Sequence, residues 1–283
     1  MDNHAELPSL RTKHEVARAA IEARLAAGAT FSTGIYALDA LIDGIRPRTF
    51  TVIDAASAET RTILCGTLAD NLNIQGAKVL FVTFVHSPEE IELRMACRRM
   101  NLRMEWLRNS SGRDISSLAA KAEAYLSAIP DNTVYLPTIC PTVDEILLGI
   151  NHAMNAHGVQ VVVLDIGGFE MDRKDELFWL DLGRGLRRFA STGSLSVIAA
   201  VSSNEEATSC LQISATELLR MTSEDDGYSL GVILEKSIDV FGSVARLAKQ
   251  AVYVDAAGPH MRDADAGSIS VCGQASFTRH FQE

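Results

Sequence analysis

An α/β fold, with a mainly parallel central sheet, helices on both faces and a C-terminal antiparallel hairpin, is what this sequence predicts. Three observations carry that expectation. From Thr49 onward, short β-rich runs alternate with longer runs of helical period. The β-rich runs are apolar throughout, as the buried strands of a parallel sheet are. Near the chain's end, two short runs flank Gly273-Gln274, a hairpin turn signal.

In chain order, Arg11 to Ala27 carries Val16, Ala20, Ile21 and Leu25 on one helical face, and Gly28 stops it. That apolar stripe lies either on its own domain or on a neighbouring copy. Buried strands are predicted at Thr49–Ile53, Lys78–Val85, Val134–Leu136, Val159–Leu164, Leu195–Val201 and Ala251–Val254. Helices are predicted at Arg61–Ile74, Pro88–Met100, Ser116–Ile129, Val143–His157 and Asp175–Ser191. Thr142 followed by Glu145 is a capping box that fixes one of these starts. Asn204 to Gly242 is the least periodic stretch, with a charged turn at Ser223-Glu224-Asp225-Asp226-Gly227 and a short strand at Leu230–Leu234. Ser268–Cys272 and Ser276–Phe281 form the closing hairpin. The organisation expected is a tail and helix over residues 1–30, then one domain over 31–283.

Composition bounds the function. With 283 residues, 47% of them hydrophobic, the chain can fill the core of one large domain. A formal net charge of −10 gives no global attraction to nucleic acid, so DNA binding would need a local basic surface or an assembly. The five cysteines are scattered without C-x-x-C spacing and mostly sit in apolar runs, which reads as reduced and buried. No run approaches the roughly 18 apolar residues of a membrane span, and the expected location is cytoplasmic.

The first core strand runs into Asp54-Ala55-Ala56-Ser57-Ala58-Glu59-Thr60-Arg61-Thr62. A phosphate-binding loop here would follow G-x-x-x-x-G-K-[ST], with glycines letting backbone N–H groups close around phosphate and a lysine reaching its far end. Ala55, Thr60, Arg61 and Thr62 hold those positions instead. A β-branched threonine resists the dihedrals that glycine adopts freely, and Glu59 places a carboxylate where a polyanion would sit. The expectation is a loop that has lost its hold on nucleotide.

Taken in order, Ser32-Thr33-Gly34-Ile35-Tyr36-Ala37-Leu38-Asp39, this loop, Glu90-Ile91-Glu92-Leu93-Arg94-Met95 and Val161-Val162-Val163-Leu164-Asp165 resemble the RecA-like motor domain of DnaB-type replicative helicases. Gly183-Arg184-Gly185-Leu186-Arg187-Arg188-Phe189-Ala190 and Gly242-Ser243-Val244 resemble later segments of it. The likeness is co-linear from about Phe31 to the C-terminus and implies a RecA-like P-loop NTPase fold, with the helix at residues 11–27 as its linker. It implies ATP and Mg²⁺ as cofactors, with Thr60, Arg61 and Thr62 in the phosphate loop and Asp165 and Thr62 at the metal. Beside that stand plainer readings: Asp165 as a strand-end cap and Thr62 as a first-turn helix residue.

The resemblance puts the family's catalytic glutamate at Val85, which can neither accept a proton nor orient water. His86, Glu89 and Glu90 are nearby substitutes, or the two glutamates simply complement a helix dipole. Where the family presents a phosphate-sensing glutamine, this chain has Ser202-Ser203-Asn204. Arg262 aligns with the arginine that such rings insert into a neighbour's site, and His260 with its companion lysine; a solvated loop arginine is the alternative. For nucleic acid, the loop Ile166 to Asp175 is short and of mixed sign, whereas Arg94, Arg98, Arg99, Arg103 and Arg108 cluster around Trp106. Arg98, Arg99 and Arg103 are the candidate contacts, against a solvated helix face.

Losing loop glycines, lysine and catalytic carboxylate together removes groups of which a single one contributes ~10²–10⁴-fold. The function expected is therefore a non-catalytic interaction or regulatory module in DNA replication, recombination or repair, needing no cofactor. Its partners would be copies of itself, a RecA-like or other replication or repair protein, or single-stranded DNA. The alternatives are a divergent ATP-dependent helicase with Arg61 in the lysine's role, and a structural ring or filament subunit indifferent to nucleotide.

Overall fold

In the computed structural model, the residues described are 12–15, 18, 31–100, 120, 123–124, 127–138, 141–168, 171, 173–193, 195–202, 205–223, 229–239, 242–243, 249–255 and 260–263. The strands are β1 (Phe50–Ala55), β2 (Val79–Thr83), β3 (Thr133–Pro137), β4 (Val161–Asp165), β5 (Ser196–Ser202), β6 (Glu217–Ser223), β7 (Ser229–Asp239), β8 (Gly242–Ser243), β9 (Lys249–Asp255) and β10 (His260–Asp263). The helices are α1 (Tyr36–Ile42), α2 (Ala58–Ile74), α3 (Pro88–Met100), α4 (Val143–His157), α5 (Glu176–Gly193) and α6 (Glu205–Ser214).

The sheet runs β10-β9-β7-β6-β1-β5-β4-β2-β3, with β8 paired to β7. From β6 to β3 every pairing is parallel, and from β6 outward to β10 every pairing is antiparallel. The predicted parallel core is therefore present, and an antiparallel extension continues it on the C-terminal side. The hairpin predicted at 268–281 and the helices predicted at 11–27 and 116–129 fall wholly or largely outside the described residues.

Side chains of the central strands divide with period two, as a sheet buried on both faces requires. Ile53, Phe81, Val163 and Ile198 join α1, α2 and α3 in one core. Val52, Val82, Leu164 and Val197 join α4, α5 and α6 in the other, around the fully buried Trp179. The predicted capping box holds α4: Thr142 Oγ1 accepts from Glu145 N at 3.2 Å, and Thr142 N donates back to Glu145 Oε2 at 2.7 Å.

Two expectations need correction. The stretch 204–242 holds α6, β6 and an eleven-residue β7 rather than one short strand. A charged Glu217 at the start of β6 disguises it in sequence; in the fold it is buried, bonded by Arg46 Nη2 at 2.6 Å and by the Thr51 hydroxyl at 2.7 Å. The second correction concerns α2, which begins at Ala58 and not at Arg61.

Candidate functional site

In an open α/β sheet, ligands sit beyond the carboxyl ends of the strands, where neighbouring connections diverge. Here that place lies over β1, β5 and β4, which are adjacent, with Ala55 opposite Ser202 and Asp165 opposite Ala200. Only Ala56 and Ser57 separate β1 from α2. Ala58 to Thr62, the second part of the would-be phosphate loop, are already helix, and Ser57 caps that helix. The Ser57 hydroxyl accepts from Thr60 N at 3.1 Å and the Ser57 carbonyl accepts from Arg61 N at 3.0 Å. Two backbone donors that a phosphate cradle would turn toward its anion are thus spent inside the chain.

Arg61 lies in the first turn of α2 and points into the molecule, only 3% exposed. Its Nε donates to Asp165 Oδ1 at 2.5 Å, and its Nη1 donates to the Ser202 hydroxyl at 2.7 Å. The Thr62 hydroxyl donates to Asp165 Oδ2 at 2.9 Å. Asp165, wholly buried at the end of β4, therefore accepts a bond on each oxygen. Gly167 closes the cluster: a Cβ there would fall 2.2–2.4 Å from three atoms of the guanidinium. Beneath it, burial first and the Asp165 charge second push the Cys65 thiol well above its usual range, with Arg61 opposing.

This geometry decides how well the residues suit the ATP and Mg²⁺ that the fold implies. A metal-holding pair would offer oxygen lone pairs to an outside cation; here the hydroxyl donates a hydrogen bond to the carboxylate and a guanidinium fills the remaining space. As folded, Thr62, Asp165 and Arg61 satisfy one another and leave no cradle among them. Sequence reading brings these three together but misses the parts of Gly167 and Ser202. The signal that could have found them is an arginine in place of lysine, which needs a buried acceptor and a neighbour without a side chain.

Val85 lies just beyond β2 and is 47% exposed, beside Gly168, whose φ of +97° would disfavour any other residue. The nearby acids already have partners of their own. Glu90 bonds Arg94 at 2.8 Å and His86 at 3.0 Å, and its carboxyl is held below the ordinary range, first by Arg94 and then by His86. Glu89 is lowered too, by its own backbone N–H and by Ser87. A general base working near neutrality needs its pKa moved upward, so this geometry favours the reading of both as helix N-terminal carboxylates.

The basic cluster is largely neutralised where it is described. Arg98 and Arg99 share the buried Asp70, at 2.7 and 2.8 Å, and Arg98 also donates to Asn71 at 3.0 Å. Burial raises the Asp70 carboxyl against the pull of both guanidiniums. Arg103, Trp106 and Arg108 lie outside the described residues. In the loop after β4, Lys174 sits 5.0 Å from the centre of the Phe178 ring. Arg262 is in β10, opposite Tyr253 of β9, and β10 packs against α2 of the same chain. Ser203 and Asn204 are outside the described residues, whereas Ser202 is the Arg61 acceptor already described.

Comparison with solved structures gives the fold a context. The chain is similar to a solved ATPase domain, with a TM-score of 0.69 and 14% identity over 91% of this chain and 100% of that one. It is also similar to a DnaB-like replicative helicase studied for its interactions with primase, with a TM-score of 0.68 and 13% identity over 91% of this chain and 69% of that one. No curated protein matches it in sequence. At such identities the structures speak for the fold alone, a RecA-like ATPase-domain architecture. The family model described as DnaB-like helicase C terminal domain matches residues 30–209, more than half of the chain. This chain belongs to the DnaB-like helicase C-terminal domain family.

Proposed function

We propose that this chain is a non-catalytic member of its family, acting as an interaction or regulatory module in DNA replication, recombination or repair. One observation carries the reading: where the resemblance would put phosphate and metal, the chain's own Arg61 is bonded to Asp165 and Ser202, beside a helix start at Ala58. Val85 at the position where the resemblance puts the catalytic glutamate, and the engagement of Glu90 by Arg94 and His86, support it further. What a family member retains without turnover is its surface. Its partners would be copies of itself or a RecA-like or other replication or repair protein, as the helicase noted above engages primase.

The test is hydrolysis of Mg-ATP by the purified chain, with and without single-stranded DNA, alongside calorimetric titration with ATP. Neither turnover nor saturable binding is expected. A DNA-stimulated rate that disappears in Asp165→Asn would overturn the reading and restore the divergent helicase. Light scattering bears on the assembly: a chain that stays monomeric at high micromolar concentration cannot be a ring or filament subunit of its own.

A further inference from the structure

The family's motor would hold a divalent cation against the Asp165 carboxylate and the Thr62 hydroxyl, yet the residues here are arranged for something else. We propose that the Arg61 guanidinium is a built-in substitute for that cation, tying α2 to the tips of β4 and β5 so that their arrangement no longer depends on nucleotide. The inference rests on the reading that the site holds no nucleotide, and goes beyond it by assigning the vacated role to a residue.

Charge comes first. Asp165 is wholly buried, and a buried carboxylate needs a positive partner or it forfeits its ionisation. Arg61 lies near the start of α2, where the helix dipole opposes a cation, so its inward course depends on that carboxylate. The two charges cancel. Geometry follows. The guanidinium reaches β4 through Nε and β5 through Nη1, so one planar group spans adjacent strand tips, as a metal with ligands on both would. Thr62 completes the second oxygen of the carboxylate. Space is reserved for it as well: the missing side chain at Gly167 is what admits the guanidinium, since a Cβ there would stand only 2.2–2.4 Å from it. Ion pair, hydroxyl and glycine together describe a site shaped around arginine.

Removing the guanidinium should therefore re-create a demand for a cation. Thermal unfolding of the full chain, without nucleotide, is compared in Mg²⁺ and in NaCl of equal ionic strength. Wild type should show no difference between the salts. Arg61→Ala should melt roughly 5–15 °C lower, as loss of a buried partner in a chain of this size implies. Mg²⁺ should return roughly half of that loss by binding the folded state. The double variant Arg61→Ala/Asp165→Asn should gain nothing from Mg²⁺ beyond NaCl. An Arg61→Ala protein that melts with wild type, or responds equally to both salts, overturns the proposal. Should Arg61→Ala fail to fold, Mn²⁺ titration of nucleotide-free wild type, followed by electron paramagnetic resonance, decides instead. No site sensitive to Asp165→Asn is expected, and a wild-type site abolished by that substitution refutes the substitute role. Because no arm contains nucleotide, this failure is read separately from any ATP hydrolysis.

Discussion

Gly167 and Arg61 meet so closely that a single methyl group would part them. A Cβ at residue 167 would stand 2.2 Å from Arg61 Nη1 and 2.3 Å from Cζ, closer than real Cβ contacts come. The guanidinium has nowhere to retreat, being bonded to Asp165 and Ser202 and only 3% exposed. A glycine two residues past the strand-end aspartate is thus a packing requirement of the ion pair.

Gly167→Ala should accordingly unfold more easily by about 3 kcal/mol, the lower end of what breaking a buried pair costs. Gly183→Ala is the control. Its added Cβ would meet Ser214 and Leu211 at 3.4–3.5 Å, ordinary contact, and within α5 alanine gains up to about 1 kcal/mol in helix propensity. Urea denaturation should move the two variants in opposite directions; equal behaviour would mean that Arg61 shifts without cost.

The short β1–α2 connection makes a second prediction. Ser57 caps α2 through Thr60 N, and its hydroxyl lies 2.9 Å from that of Thr60. Ser57→Ala should cost about 1 kcal/mol, the usual value of an N-cap hydroxyl. The measurement is again the denaturation midpoint. A Ser57→Ala protein of unchanged stability would mean that the capped helix start is not how this loop is held.

Much of this is legible in the sequence, and the omissions have physical causes. The central strands and α3 and α4 can be read because apolar runs and a capping box are local signals. The start of α2 is misplaced because the loop is read in the frame of a phosphate cradle, while the deciding contact, Ser57 with Thr60, is one that any serine before a helix can make. The meeting of Arg61, Asp165, Ser202 and Gly167 spans more than a hundred residues and is visible only once the strand order places β5 beside β4. β6 escapes a sequence reading because Glu217 looks like a surface residue until Arg46 and Thr51 are set against it.

Glu90 supplies a pH prediction. Its folded pKa is depressed, first by Arg94 and next by His86, so its contribution is present above the unfolded carboxyl pKa and is lost as pH falls through the lower, folded value. Its side chain is 39% exposed, which limits the gain to below about 1 kcal/mol after screening by solvent. Glu90→Gln should therefore be slightly less stable than wild type at neutral pH and equal to it once both carboxyl pKa values have been passed on acidification. Denaturation at a series of pH values checks this. A difference that grew toward acid would reverse the sign and with it the ion-pair account.

Asp70 decides how basic the α3 surface is. It lies buried between Arg98 and Arg99, both of which it binds, so a face rich in arginine carries less positive charge than its sequence implies. Burial already raises the Asp70 carboxyl, and an amide there removes a charge without removing bulk. Asp70→Asn should deprive both arginines of their shared carboxylate and strengthen binding to single-stranded DNA. Each cation so gained should steepen the dependence of log affinity on log salt by about 0.7. Fluorescence anisotropy with a labelled oligonucleotide at several salt concentrations measures the slope, with a melting curve to establish that the variant is folded. If the folded variant binds no better than wild type at low salt, this arginine face is not a nucleic-acid surface held in check by Asp70.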